Sequence, residues 1–265
     1  MKLAVLIKHV PETDNLKIDE KKGTVVRKGV ESIINPLDLY AIEEALRIKE
    51  KHPPASITLV SMGPPDAEKS LREAIAMGCD SAILITGREF SGSDTYATSL
   101  VLSRVLKKTG NYDIILCGER ATDGDTSQVG PAVASFLDLP VLTYVSRVEL
   151  SDNEVEVDRI VEEGIETYSA SLPVLLTISK AIGVPRLPTL KGKKRAKSAS
   201  IKYVHFDKSL FSPGETGLEG SPTMVVKLFR PVVKRKSVIL KPRNEKEIDE
   251  SIERLIDFIS ERVEL

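Results

Sequence analysis

Short apolar runs alternate with amphipathic stretches along the first half of the chain. Residues 2–8 (KLAVLIK), 56–61 (SITLVS), 81–86 (SAILIT) and 112–117 (YDIILC) are brief and almost wholly apolar at their centres. Strands buried on both faces of a parallel sheet read this way. Between them lie helical patterns. Leu39, Ile42, Ala45 and Leu46 follow the stop at Asn35-Pro36. Asp66, after the turn at Gly63-Pro64-Pro65, is placed to cap a helix reaching about Met77. Ala97, Leu100, Val101 and Val105 mark a helix over 93–108, and another fits 126–138. Strands alternating with helices predict βαβ units: an α/β fold with a doubly wound, mainly parallel, Rossmann-like sheet.

The rhythm changes elsewhere. Residues 10–32 are polar, with room for a small hairpin around EKKGT. After Pro140, segments 141–150, 154–161 and 167–178 read as strands separated by turns, the middle pair as a hairpin. From about 183 the composition shifts to prolines and then six basic residues with no acid between Lys191 and Lys202. Residues 206–243 show no period. At the end, Ile248, Ile252, Leu255, Ile256, Ile259 and Val263 fall on one face of a helix with charged residues opposite. The expected division is a nucleotide-binding α/β domain over 1–185 and a partner-binding loop with a C-terminal arm and terminal helix over 186–265. No internal repeat is visible.

Composition narrows the function. With 38 Lys+Arg against 39 Asp+Glu, no global field recruits nucleic acid or an anionic membrane. Aromatics make up 5% and Trp is absent, which disfavours stacking platforms for single-stranded nucleic acid. Two cysteines, Cys79 and Cys117, and three scattered histidines offer no disulfide framework and no metal cluster. The N-terminal apolar run is too short for a signal or a membrane span, so a reducing, cytoplasmic-type compartment is expected, with no direct membrane insertion. No nucleophile–base pair and no paired carboxylates stand out, so no catalytic residue is predicted.

The candidate chemistry lies in residues 118–131, GERATDGDTSQVGP. This segment leaves the carboxyl end of a buried strand and opens a helix. Ligands of open α/β sheets bind outside the carboxyl ends of strands, and a helix start presents free amides that suit phosphate. Gly118, Gly124 and Gly130 allow close approach, and Thr122, Thr126, Ser127 and Gln128 add neutral donors. Asp123 and Asp125 repel phosphate and must turn away, cap the helix or bind a hydroxyl. The segment has neither a Walker A lysine nor a GxGxxG fingerprint. Two further strand ends, residues 6–9 and 60–64, together with Asn35, Pro36, Leu37 and Asp38, are placed to wall a pocket for adenine and ribose. Leu6 and Met62, taken alone, read as core packing. The basic run fits a partner-docking surface, a nucleic-acid patch or a plain solvated loop, and the lack of aromatics disfavours the second.

Several segments in order carry a family resemblance: ESIINPLDLYAIEEALRIKE, VSMGP, AIAMGCD, ATDGDTSQVGP, VDRIVEEGIETYSASLPVLLT and VPRLPTLKGKKRAKS. The chain resembles the β subunits of electron transfer flavoproteins over nearly its whole length. The resemblance implies an adenine nucleotide alpha hydrolase-like fold and an α-subunit partner that holds a FAD. In ordinary members the β subunit binds AMP as a structural piece. In electron-bifurcating members it binds a second FAD, which accepts electrons from NADH and splits them between acceptors.

Carried over residue by residue, the family's nucleotide contacts fall on Leu6, Asn35, Pro36, Leu37, Asp38 and Met62. They continue through Gly118, Glu119, Arg120, Ala121, Thr122, Asp123, Gly124, Asp125, Thr126, Ser127, Gln128 and Val129. The partner-recognition loop falls at 185–196, its protruding leucine at Leu190, and the acid near the α-subunit flavin at Glu166. Ordinary members carry larger side chains in the loop. Gly124 and the NPxD pattern ending at Asp38 therefore favour FAD over AMP. Arg120 is expected to stabilise reduced, anionic flavin. The resemblance also implies a dehydrogenase or quinone-oxidoreductase type partner, with ferredoxin as a further acceptor, and allows docking on a membrane-bound partner. A stand-alone nucleotide-binding module remains the alternative; it would need no C-terminal arm.

Overall fold

The structure, a computed structural model, describes residues 1–12, 17–19, 24–26, 31–226 and 237–261, with backbone alone at 17–19 and 24–26. The turn of the expected EKKGT hairpin at 20–23, part of the arm at 227–236, and Val263 lie outside the described residues. The chain forms two compact units, Met1–Leu228 and Phe229–Leu265.

The first unit is built on a nine-stranded sheet. In chain order its strands are β1 (Lys2–Leu6), β6 (Ser56–Met62), β7 (Ser81–Ile85), β8 (Ile114–Gly118), β9 (Val141–Leu150), β10 (Glu154–Val161), β11 (Gly164–Ser171), β12 (Val174–Ile178) and β13 (Ile201–Val204). Two short pairs lie outside it: β2 (His9–Pro11) with β5 (Ser32–Ile34), and β3 (Lys17–Asp19) with β4 (Thr24–Val26). The spatial order is β11-β10-β9-β12-β8-β1-β6-β7-β13. Every pairing from β9 to β13 is parallel, and only the β9–β10–β11 edge is antiparallel. This is the expected doubly wound, mainly parallel α/β sheet.

Alternation along the central strands divides the core in two. Leu3, Val5 and Ile7 join Ile57, Leu59, Ile114 and Leu116 in one cluster. Ala4 and Leu6 join Val60, Ile115 and Cys117 in the other. Helices α1 (Asp38–Lys51) and α2 (Glu68–Met77) cover the first layer through Ala41, Ile42, Ala45, Leu71 and Ile75. Helices α3 (Thr95–Thr109) and α4 (Val129–Leu137) cover the second through Val101, Val105, Val133 and Ala134. Removing all these apolar surfaces from water, at about 25 cal/mol per Å², is the main force holding the layers.

Some elements differ from the sequence expectation. Asp66 does not cap α2: a short 3₁₀ turn, Pro65–Ala67, precedes the helix, and the Asp66 carboxylate pairs with Lys69 at 3.2 Å. The single strand expected over 167–178 is two, β11 and β12, on opposite sides of β9 and β10. The basic run is not a solvated loop. It forms helix α5 (Leu190–Ser198), capped by Thr189 and seated on α2. Arg195 donates to the carbonyls of Ile75 and Cys79, and Arg72 donates to that of Ala196. β13 follows and extends the sheet past β7. Residues 206–218 are irregular in backbone yet packed, with Phe211 buried against Phe90 and Phe206.

The second unit contains helix α6 (Glu245–Ser260), capped by Asn244. Its apolar stripe matches the expected one, and Ile248, Ile252, Leu255, Ile256 and Ile259 are all exposed.

Candidate functional site

Chain order reverses between β1 and β8. β6 and β7 follow β1 to one side, whereas β8 and β12 lie on the other. Such a switch point opens a crevice at the carboxyl ends of the strands. Leu6, Met62 and Gly118 end β1, β6 and β8 at this edge. The 118–128 loop leaves β8 here and enters α4.

The base of the loop is held by the turn before α1. Asn35 is fully buried. Its Oδ1 accepts from the Thr122 amide at 3.1 Å, and its Nδ2 donates to the Arg120 carbonyl at 2.9 Å. Asp38 is also buried; its Oδ1 accepts from the Gly118 amide at 3.1 Å and its Oδ2 from the Lys8 amide at 2.7 Å. The Asn35 amide in turn donates to the Lys8 carbonyl at 2.8 Å. One four-residue turn thus ties together the ends of β1 and β8 and the first third of the loop. Burial pushes the Asp38 carboxyl up to about 7, against the opposing pull of the two amides, Asn35 and Lys8.

The loop's own acids are paired. Lys8 Nζ meets Asp123 Oδ1 at 2.7 Å. Arg120 Nε stands 3.1 Å from Asp125 and 3.7 Å from Glu119. Both aspartates have therefore turned to cations, and neither caps α4, whose N-cap residue Gln128 makes no side-chain cap bond. The helix starts at Val129 rather than 126 because Asp125 and Ser127 adopt left-handed backbone, with φ of 52° and 54°. Such non-glycine positions cluster at functional sites. The amides of Thr126 and Ser127 have no hydrogen-bond partner among the described residues. The first turn of α4 adds further free amides and the positive end of its dipole.

The loop's glycines separate by cause. A Cβ at Gly118 would sit 2.6 Å from Asp38 Oδ1, and one at Gly130 would sit 2.8 Å from Cys117 Sγ. Both are required by the chain's own packing. A Cβ at Gly124 would meet nothing within 4 Å. The chain itself gives no reason for a missing side chain there. Free amides, strained backbone and an open glycine together suit an anionic ligand such as a nucleotide diphosphate.

Hydrogen bonds and sheet pairing bring Leu6, Asn35, Pro36, Leu37, Asp38, Met62 and residues 118–129 to one edge. Leu6 is buried in the second core layer, and Met62 packs against that layer. Glu166 and Leu190 stand elsewhere. Glu166 is on β11, four strands from β8, or roughly 19 Å at the usual strand spacing; its carboxylate lies 3.7 Å from Arg159. Leu190 opens α5 with 87% of its surface exposed, close in sequence to exposed Val184 and Leu187. Cys117 lies in the core beneath the loop, its thiol pushed far up by burial and by Asp38, and so unreactive. Sequence reasoning missed Lys8 as the partner of Asp123. Its place at the end of the first strand was the available signal.

The architecture and its site define a doubly wound α/β domain with an anion-ready loop at the topological switch point. The electron transfer flavoprotein domain family matches residues 22–209. The chain is 45% identical to the electron transfer flavoprotein subunit beta of Thermoanaerobacterium thermosaccharolyticum over 261 residues, 96% of this chain and 98% of that one. It is 42% identical to the caffeyl-CoA reductase-Etf complex subunit CarD of Acetobacterium woodii, covering 88% and 89%. It is 38% identical to the acryloyl-CoA reductase electron transfer subunit gamma of Anaerotignum propionicum, covering 97% and 98%. The chain belongs to the electron transfer flavoprotein β-subunit family. Among the described residues no helix is long and apolar enough to cross a membrane.

Proposed function

We propose that the chain is the β subunit of a bifurcating electron transfer flavoprotein, holding a FAD on the 118–129 loop. The open side of Gly124, beside the free amides of Thr126 and Ser127, carries this reading. The diphosphate fits the amides at the start of α4, and Leu6, Met62 and the 35–38 turn wall the adenosine end. Bound flavin would supply the redox chemistry, taking electrons from NADH and passing them on. The chain's residues bind and orient it. Among the described residues, Lys8 and Arg120 are cations at the site. Arg120, now shared with Asp125 and Glu119, is the group placed to stabilise a reduced, anionic flavin. AMP on the same loop is the second reading. It uses the same amides and leaves the space beside Gly124 unexplained.

The partner surfaces lie beyond residue 185, so the functional division is 1–185 for nucleotide and 186–265 for partners. The apolar stripe of α6 fits an α subunit. The exposed Leu187 and Leu190 beside the basic helix α5 fit a dehydrogenase or reductase, the class that the caffeyl-CoA and acryloyl-CoA reductase names attach to two relatives. Glu166 faces the α-subunit flavin in this reading. The test is the cofactor content of the purified αβ complex. Two FAD per complex and no AMP are expected; one FAD with one AMP contradicts bifurcation.

A further inference from the structure

Asn35 and Asp38, beyond walling the pocket, hold the backbone of the loop. Each polar atom of the Asn35 side chain is already bonded to the loop backbone, and each oxygen of Asp38 already accepts a backbone amide. A carboxylate accepting two amides makes two charge-assisted bonds, stronger than neutral ones. A protonated carboxyl accepts poorly through its hydroxyl oxygen, so one bond weakens. The bonds at stake anchor Gly118, where the loop begins, and Lys8, whose side chain holds Asp123 at the loop's far side.

We propose that Asp38 is a positioning residue whose ionised form sets the diphosphate-binding loop, so that a proton on Asp38 loosens the loop and releases the ligand. This rests on the loop's reading as a diphosphate site. Among the described residues, the groups around Asp38 leave it as the titrating element. Lys8 faces it from the end of β1. Cys117 faces it from β8 and stays protonated. The loop charges Glu119, Arg120, Asp123 and Asp125 pair with one another and with Lys8. α4 carries no titratable side chain and β12 contributes Thr177. On α1, Glu43 and Glu44 bind Arg47 and Arg186 instead. His9, the nearest histidine in sequence, bonds Ser70 at 2.8 Å. Burial holds the Asp38 carboxyl near neutrality, which places its proton in an accessible range.

The test is equilibrium dialysis of FAD against the full chain stripped of nucleotide, at pH 8 and pH 6. The diphosphate of FAD, a diester, has no ionisation of its own in that window. Wild type is expected to bind about tenfold more weakly at pH 6, the loss of one charge-assisted bond. Asp38→Asn, which opposes an amide donor to a backbone donor, is expected to bind weakly at both values with no pH step. Should that variant be insoluble, Asn35→Ala tests the clip from its other side: weaker binding with the step retained. Wild-type binding that is equal at both pH values, or a step that survives in Asp38→Asn, overturns this proposal and leaves the FAD reading standing. No FAD binding at either pH overturns both.

Discussion

A Cβ placed on Gly130 would press on Cys117 and Thr177 at 2.8 Å, whereas one on Gly124 would meet no atom of the chain. The two residues therefore answer to different forces. Gly130→Ala is expected to cost about 1–3 kcal/mol of stability through overpacking, measured as a shift in urea midpoint. Gly124→Ala is expected to stay within about 0.5 kcal/mol. Gly124→Leu should weaken FAD retention more than AMP retention, because the longer ligand needs the open side of the loop. Equal loss of both would contradict the pocket. Asp38 adds a pH dependence. Its carboxyl sits near the ordinary range in the unfolded chain and at about 7 in the folded one. The folded state therefore binds its proton more tightly. The resulting stability is fully present below about pH 4 and is lost as pH rises through 7. The stability difference between wild type and Asp38→Asn should fall across that window, and a flat difference would show that Asp38 is not the group responsible.

Among elements, helix α1 is the hub. Its first residue holds the loop, and further along Glu43, nearly buried, accepts from the backbone and side chain of Arg186, which also reaches Glu50. Burial raises the Glu43 carboxyl, and Arg186 more than offsets this, leaving it below its usual range. Arg186→Ala strands a buried carboxylate with Arg47 as its remaining partner. The expected cost is about 2–4 kcal/mol, read by thermal unfolding, with looser ordering of the 184–189 segment that leads into α5. A loss below about 0.5 kcal/mol would contradict this role.

The helices and central strands were legible because burial on one stripe or on both faces writes a period into the sequence. Ala97, Val101 and Val105, or the run SAILI, required no distant partner to be read. Helix α5 was illegible because LKGKKRAKS has almost no apolar period. It is held by arginine bonds to α2, a partner about 120 residues away in sequence. The loop's place between a buried strand and a helix was legible from its glycines and polar residues. The hold of Asn35 and Asp38 on the loop backbone was not legible, because their partners are distant in sequence. Only the folded chain shows their polar atoms committed to residues 8, 118, 120 and 122. The late start of α4 was hidden for a similar reason, since left-handed backbone at Asp125 and Ser127 has no sequence signature as strong as glycine.

At the scale of the molecule, the first unit has a buried core, whereas helix α6 of the second has none among the described residues. The first unit buries two apolar layers around its sheet. In the second, α6 buries none of its residues despite a continuous apolar stripe. A helix of this kind is stable when its stripe is covered. Deleting 229–265 is expected to abolish copurification with the α subunit while the remaining chain keeps cooperative unfolding. Retained copurification would move the subunit interface elsewhere. Nucleotide binding depends on the strand-to-helix bend after β8 gripping a diphosphate. The direct measurement is an experimental structure of the αβ complex as purified. A diphosphate hydrogen-bonded to amides between residues 124 and 130 is expected, with Asn35 and Asp38 still bonded to the loop backbone. A bend that is vacant, or filled by protein side chains alone, would contradict this expectation.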